Sequence, residues 1–137
     1  MAPRTFAEYV EHDPLFARAE LRWGVDAKLL KRQVWAESSG RHNAVSPRGA
    51  KGLAQFMPAT WAEWAPAGAD PFDPAASIDT QARYMRWLMK QAGGVRAALA
   101  AYNWGIGRVL RARARLGDAW ETALPAETRG YLRKVLG

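Results

Sequence analysis

Apolar residues in this chain recur three and four positions apart, and the short alternating runs that mark strands are missing. That periodicity restricts the fold to an all-α class. The longest periodic segment carries Ile78, Ala82, Met85, Leu88 and Met89 on one face, and an earlier one carries Leu30, Val34 and Glu37 at i, i+4 and i+7. Cap and breaker residues divide the pattern. Thr5 with Glu8 reads as a capping box opening a short first helix, and Asp13 with Pro14 opens a second, which Gly24 stops. Asp26 caps a third helix that ends at Ser38, Ser39 and Gly40. A loop rich in Asn, Ser, Pro and Gly follows to Gly52, then short helical pieces over Leu53–Phe56 and Pro58–Trp64. After a second connection, Asp73 and Pro74 start the longest helix, ended by Gly93 and Gly94. Val95–Tyr102 is nearly all apolar and belongs at the centre of a small bundle; Gly105 and Gly107 separate it from an arginine-rich helix, and a last helix runs from about Ala126 to Leu136.

With 137 residues and no internal repeat, the chain reads as one helical domain over 1–137, with 1–21 as an N-terminal helical extension. The composition excludes several function classes. There is no cysteine for a disulfide or a thiolate, and two histidines, His12 and His42, supply a zinc site poorly, so neither metal nor cofactor is expected. No segment approaches the roughly 20 apolar residues of a membrane span, and Met1–Tyr9 lacks the pattern of an export signal, so stable membrane insertion is not expected. Fifteen Arg and five Lys against thirteen acidic residues leave a net charge of +7. Such a surface favours polyanions: nucleic acid, acidic lipid, or the acidic polymers of a cell wall.

Glu37 is the most informative single position. It shares a helix face with two core residues, and burial there, together with the open carbonyls of the helix's last turn, would disfavour its ionised form and keep a proton available near neutral pH. A carboxyl of that kind serves as the general acid of sugar-cleaving enzymes. A helix-end glutamate that simply curls out to solvent has the same pattern.

The surrounding residues separate these readings. Glu37-Ser38-Ser39, followed by Asn43 through Thr60 with Ser46, Gly49, Gly52, Gln55, Met57 and Pro58, resembles the signature of the soluble lytic transglycosylase family. Those enzymes are similar to goose-type lysozyme and cleave the glycan strands of bacterial peptidoglycan. Ala100–Val109, with Tyr102 and Asn103, resembles the family's Ala-Tyr-Asn motif, and Glu127-Thr128-Arg129-Gly130-Tyr131 its C-terminal block. The resemblance covers about residues 22–137. It implies a lysozyme-like helical domain with a substrate groove, Glu37 as catalytic acid and then base, and Ser38 as its motif neighbour. Ser46, Gln55 and Met57 would line the groove near the cleaved bond, Tyr102 would hydrogen-bond the Glu37 carboxyl, Asn103 would brace that turn, and Glu127 and Tyr131 would contribute to the far wall. Two departures imply altered loop shape and groove packing: Ala54 stands where the family usually has Met, and Gly40, Arg41 and His42 replace the usual Phe-Asn-Pro.

No Asp or Glu occurs between Ser38 and Ala62, where goose-type lysozymes that hydrolyse have acidic residues. This favours the transglycosylase outcome that the resemblance implies: cleavage of the MurNAc-GlcNAc β-1,4 bond with the substrate's N-acetyl group stabilising the cation, then closure of a 1,6-anhydro ring by the C6 hydroxyl as Glu37 takes its proton. A hydrolytic lysozyme with Glu127 as second carboxylate is the alternative. A basic nucleic-acid-binding helical module is a remote one, since it leaves Glu37 unexplained. The expected partner is the peptidoglycan glycan strand, not nucleic acid, met by a monomer. A bare basic domain of this kind suggests a phage endolysin held in the host cytoplasm and released to the wall, a virion-associated wall-penetrating component, or part of a larger enzyme.

Overall fold

The computed structural model describes residues 4–137; Met1, Ala2 and Pro3, the start of the expected N-terminal extension, lie outside the described residues. The described chain is helical, with isolated bridges Val45–Lys51 and Lys51–Phe56 in place of strands. Seven α-helices follow in order: α1 (Asp13–Trp23), α2 (Ala27–Ser38), α3 (Pro58–Trp64), α4 (Pro74–Ala92), α5 (Val95–Trp104), α6 (Ile106–Leu116) and α7 (Ala126–Leu136). Single 3₁₀ segments occupy Phe6–Glu8 and Gly117–Ala123. The chain groups into two compact units, residues up to Arg83 and Tyr84–Gly137.

In the first unit, α1 packs on α2. Phe16, Ala19, Val25, Leu29, Leu30 and Val34 are buried. The caps explain the boundaries. The Asp26 carboxylate accepts from the Lys28 amide at the start of α2, Gly24 closes α1 at φ +71, and Asp73 accepts from the Ala76 amide to open α4. The capping box of Thr5 and Glu8 is present, but it closes a single 3₁₀ turn. Asp13 is the first residue inside α1, not its cap, because Pro14 occupies the first turn and His12 takes the cap position.

Of residues 53–56, expected to be helical, 53–55 form turns and Phe56 lies in the bridge to Lys51. Lys51 and Phe56 exchange two backbone hydrogen bonds of 2.9 and 3.1 Å, which leaves no room for an i→i−4 ladder between them. In the second unit α5 is the central element. Ala97, Ala98, Leu99, Ala100 and Ala101 are all buried, and α5 packs against both α6 and α7, so small side chains are needed all round its girth.

Candidate active site

Glu37 lies in the last turn of α2 and is half-buried. Two left-handed residues end the helix directly behind it, Ser39 at φ +54 and Gly40 at φ +73, with the Ser39 amide bonded to the Trp35 carbonyl at 3.0 Å. Ser38, next along the helix, is buried. Its hydroxyl lies 2.8 Å from the Leu53 carbonyl and 3.1 Å from the Val34 carbonyl of its own helix, so the proton it donates ties the helix end to the loop or back-bonds along α2. Ser38 therefore has a structural task beside Glu37.

The loop carrying Ser46, Gln55 and Met57 is built on side-chain to backbone bonds. The Ser46 hydroxyl accepts from the Ala50 amide at 3.0 Å and holds the turn Ser46–Gly49. Gln55 donates its amide nitrogen to the carbonyls of Ala44 (3.1 Å) and Gly52 (2.9 Å), and its backbone sits at φ +52. A non-glycine residue held there is strained, and its surroundings must over-determine it. Met57 is exposed, ahead of α3. The loop is anchored below by Gly52, whose amide bonds the Ala44 carbonyl, and by Ser77 of α4, which accepts from the Ala54 amide.

The remaining candidates form a set in the second unit. Asn103 is half-buried on α5 and accepts a 2.8 Å bond from the hydroxyl of Thr128, itself buried on α7. Tyr102 is half-buried with its ring 5.5 Å from that of Tyr84. Glu127 is exposed in the first turn of α7, where the helix dipole favours a carboxylate, and Tyr131, one turn on, is buried. The bond between Asn103 and Thr128 ties the Ala-Tyr-Asn segment to the C-terminal block. A separate concavity of about 380 Å³ in this unit is lined by Trp104, Arg108, Arg111, Ala112, Arg115 and Ala123.

A Transglycosylase SLT domain family model matches residues 14–123, most of the chain. The chain belongs to the transglycosylase SLT domain family. Among its relatives are the membrane-bound lytic murein transglycosylase C of Edwardsiella ictaluri (33% identical; 86% of this chain, 42% of the relative) and the soluble lytic murein transglycosylase of Escherichia coli K12 (35%; 80% and 19%). The transglycosylase of Enterobacteria phage PRD1 is 36% identical over 64% of this chain and 32% of its own length. The chain thus spans less than half the length of these relatives. The crystal structure of the 70-kDa soluble lytic transglycosylase of E. coli superposes with a TM-score of 0.81 at 29% identity, covering 90% of this chain and 22% of that one. A complex of the 70-kDa soluble lytic transglycosylase with bulgecin A gives a TM-score of 0.83 at 28% identity, over 93% and 23%.

Several contributors had no local signal in the sequence. Gln33 and Gln81, both fully buried, share a 2.8 Å bond linking α2 to α4, and Gln81 also reaches the Leu30 carbonyl. A glutamine on an apolar face looks like a solvated residue until its partner, 48 positions away, is placed against it. Asp79 sits inside α4 and accepts from Arg22 (3.1 Å) and the Trp23 indole (2.9 Å). Asp70 accepts from the Phe72 amide within its turn, and Asp73 accepts from the Ala76 amide at the start of α4. Of the seven tryptophans Trp120 alone is buried; Trp87 is 36% exposed and the others are half-buried.

Proposed function

We propose that this chain is a lytic transglycosylase that cleaves the MurNAc-GlcNAc β-1,4 bond of peptidoglycan, leaving a 1,6-anhydro-MurNAc end. The observation that carries the reading is the half-buried Glu37 at the end of α2 beside a strained, hydrogen-bonded loop, in a chain of the transglycosylase SLT domain family. Relatives named as lytic murein transglycosylases support it. In its protonated form Glu37 donates to the glycosidic oxygen as the bond breaks, and the substrate's N-acetyl group closes on the anomeric carbon. The resulting carboxylate then takes the proton of the C6 hydroxyl, whose oxygen displaces the N-acetyl oxygen and closes the anhydro ring. One carboxyl suffices for both steps, in keeping with the lack of any acidic residue from Ser39 to Ala62.

We assign Ser46, Gln55 and Met57 to substrate contact on the Glu37 side, with Ser38 holding the helix end, and Tyr102, Asn103, Glu127 and Tyr131 to the second set. The protein acts as a monomer, without cofactor, on the glycan strand and not on nucleic acid. The phage PRD1 relative supports a place in phage-driven wall breakdown, and no helix among the described residues is long and apolar enough to cross a membrane.

The test is mass spectrometry of the muropeptides released from purified peptidoglycan. Anhydro products one water lighter than hydrolysis products are expected from the wild type. Glu37→Gln, close in shape to the native residue, should keep the fold and lose about 10³-fold or more in rate, at the upper end for an acid-base residue used in both steps. Reducing-end products would instead mean a lysozyme, with Glu127 the first carboxylate to examine.

A further inference from the structure

Residues 4–12 precede the stretch matched by the family model, yet they are built onto the end of the helix that carries Glu37. The Arg4 guanidinium donates through Nη2 to the carbonyls of Ser39 (3.2 Å) and Gly40 (3.1 Å) and through Nη1 to Glu11 (2.6 Å). Those carbonyls belong to the α2 exit, where backbone acceptors lack helical partners and a cation is favoured. Tyr9 is fully buried. Its ring lies 5.8 Å from that of Trp35, its hydroxyl shares a 2.8 Å bond with Nδ1 of His12, and Phe6 meets Trp35 edge-on at 5.9 Å. Lys31 of α2 closes the other side: its ammonium lies over the Phe6 and Tyr9 rings at 5.2 and 5.6 Å and pairs with Asp13 at 2.9 Å.

Gly40 is the point of closest approach. A Cβ built there would stand 2.7 Å from both Arg4 Nη2 and Tyr9 Cε1, so the strap fills the space that a side chain would need. Gly40 heads the Gly-Arg-His stretch that stands where the resembled family usually has Phe-Asn-Pro, and the Tyr9 ring occupies the space over its Cα.

We propose that residues Arg4–His12 form a strap that positions Glu37, with Arg4 and Tyr9 as positioning residues. Arg4 closes the two carbonyls that follow the last turn of α2. Phe6 and Tyr9 fix Trp35, two residues before Glu37, from the outer side. The carboxyl is thereby held by a segment that the family model does not include. The inference rests on the reading of Glu37 as the acid, because a solvated helix-end glutamate needs no such holding.

The experiment compares wild type, Arg4→Ala, Arg4→Lys and Tyr9→Leu in steady-state cleavage of purified peptidoglycan, well below each variant's melting temperature. Amide hydrogen exchange at Ser39 and Arg41, both bonded to α2 carbonyls, is measured alongside. Loss of positioning should lower kcat roughly tenfold or more and leave KM within about twofold, since a displacement near 1 Å is felt at the reacting atoms more than in binding. Arg4→Lys, which keeps the charge and loses the fork, should fall between. Exchange at the two amides should quicken in Arg4→Ala while the Ala97–Ala101 amides stay protected. Unchanged kcat in Arg4→Ala, or unchanged exchange at Ser39 and Arg41, overturns the strap. If Tyr9→Leu does not fold, Arg4→Ala still decides, because Arg4 is not a core residue. Should the wild type show no Glu37-dependent turnover, the proposed function fails on its own, and the exchange data still report whether the strap orders the turn.

Discussion

A single hydrogen atom sets the shape of the loop beside Glu37. Gly52 sits at φ +81, and a Cβ there would lie 2.0 Å from the Pro71 carbonyl oxygen, a backbone atom that cannot rotate away. Gly52→Ala combines a left-handed penalty of ~1–2 kcal/mol with overpacking of ~1–3 kcal/mol, so a loss of about 2–5 kcal/mol is expected, read as a fall in urea midpoint with unchanged m-value. A midpoint within error of wild type would mean that the Pro71 turn yields freely. Residue identity was legible here and residue role was not. The glycine could be read from sequence as a turn residue, but the close approach of Pro71, nineteen positions on, is a tertiary fact. Ser38 is similar: the motif marked it, and its buried bond to the Leu53 carbonyl shows what it does.

Elements whose ends are set by their own neighbours were the readable ones. Asp26, Gly24 and Asp73 act within four residues, and α7 falls over Ala126–Leu136 as its pattern indicated. Leu53–Phe56 went astray because its apolar spacing reflects burial from a tight turn, with Leu53, Ala54 and Phe56 all buried, and not a helical stripe. The strap was unreadable beyond its capping box, since what makes it an element is contact with the α2 exit some 30 residues later. It also carries a titration. Burial pushes His12 below its ordinary value of 6.5, with Arg4 and His42 adding to the shift against Glu11 and Asp13. The unfolded chain therefore takes up this proton first, so the stability concerned is present above pH 6.5 and is lost as pH falls toward the folded-state value. The carboxylates behave likewise lower down. The Thr5 amide holds Glu8, and the Arg96 guanidinium holds Glu121, below the ordinary 4.5, so their contribution is full above that value and is lost through the folded-state values beneath it. Melting temperature against pH should show two descents, one beginning near 6.5 and one near 4.5, and His12→Gln should abolish the first alone. A first descent that survives in His12→Gln would place that proton elsewhere.

At the scale of the whole molecule the relevant quantity is charge. The net +7 comes from arginine more than lysine, and α6 gathers Arg108, Arg111, Arg113 and Arg115 without one acidic residue in its length. Arg113 is engaged with the Trp120 ring at 5.5 Å, and Arg108 bonds the Trp104 carbonyl at 3.0 Å. Arg111 and Arg115 line the 380 Å³ concavity and make no ion pair with another described residue. Like charges one turn apart oppose helix formation, so this face costs some stability and is relieved when an anion approaches. Exposed charges act at long range only in dilute salt: the Debye length is ~10 Å at 0.1 M and about 3 Å at 1 M. Retention of Glu37→Gln on purified, acidic peptidoglycan isolates binding from cleavage. It should fall as salt rises, and adding Arg111→Gln and Arg115→Gln should weaken it several-fold in dilute salt while the two proteins converge near 1 M. A gap that persists at high salt would mean that the two arginines contribute shape and hydrogen bonds to a defined contact. No gap at any salt would move the attraction to other arginines that make no ion pair with a described residue, Arg18 and Arg32 of the first unit among them.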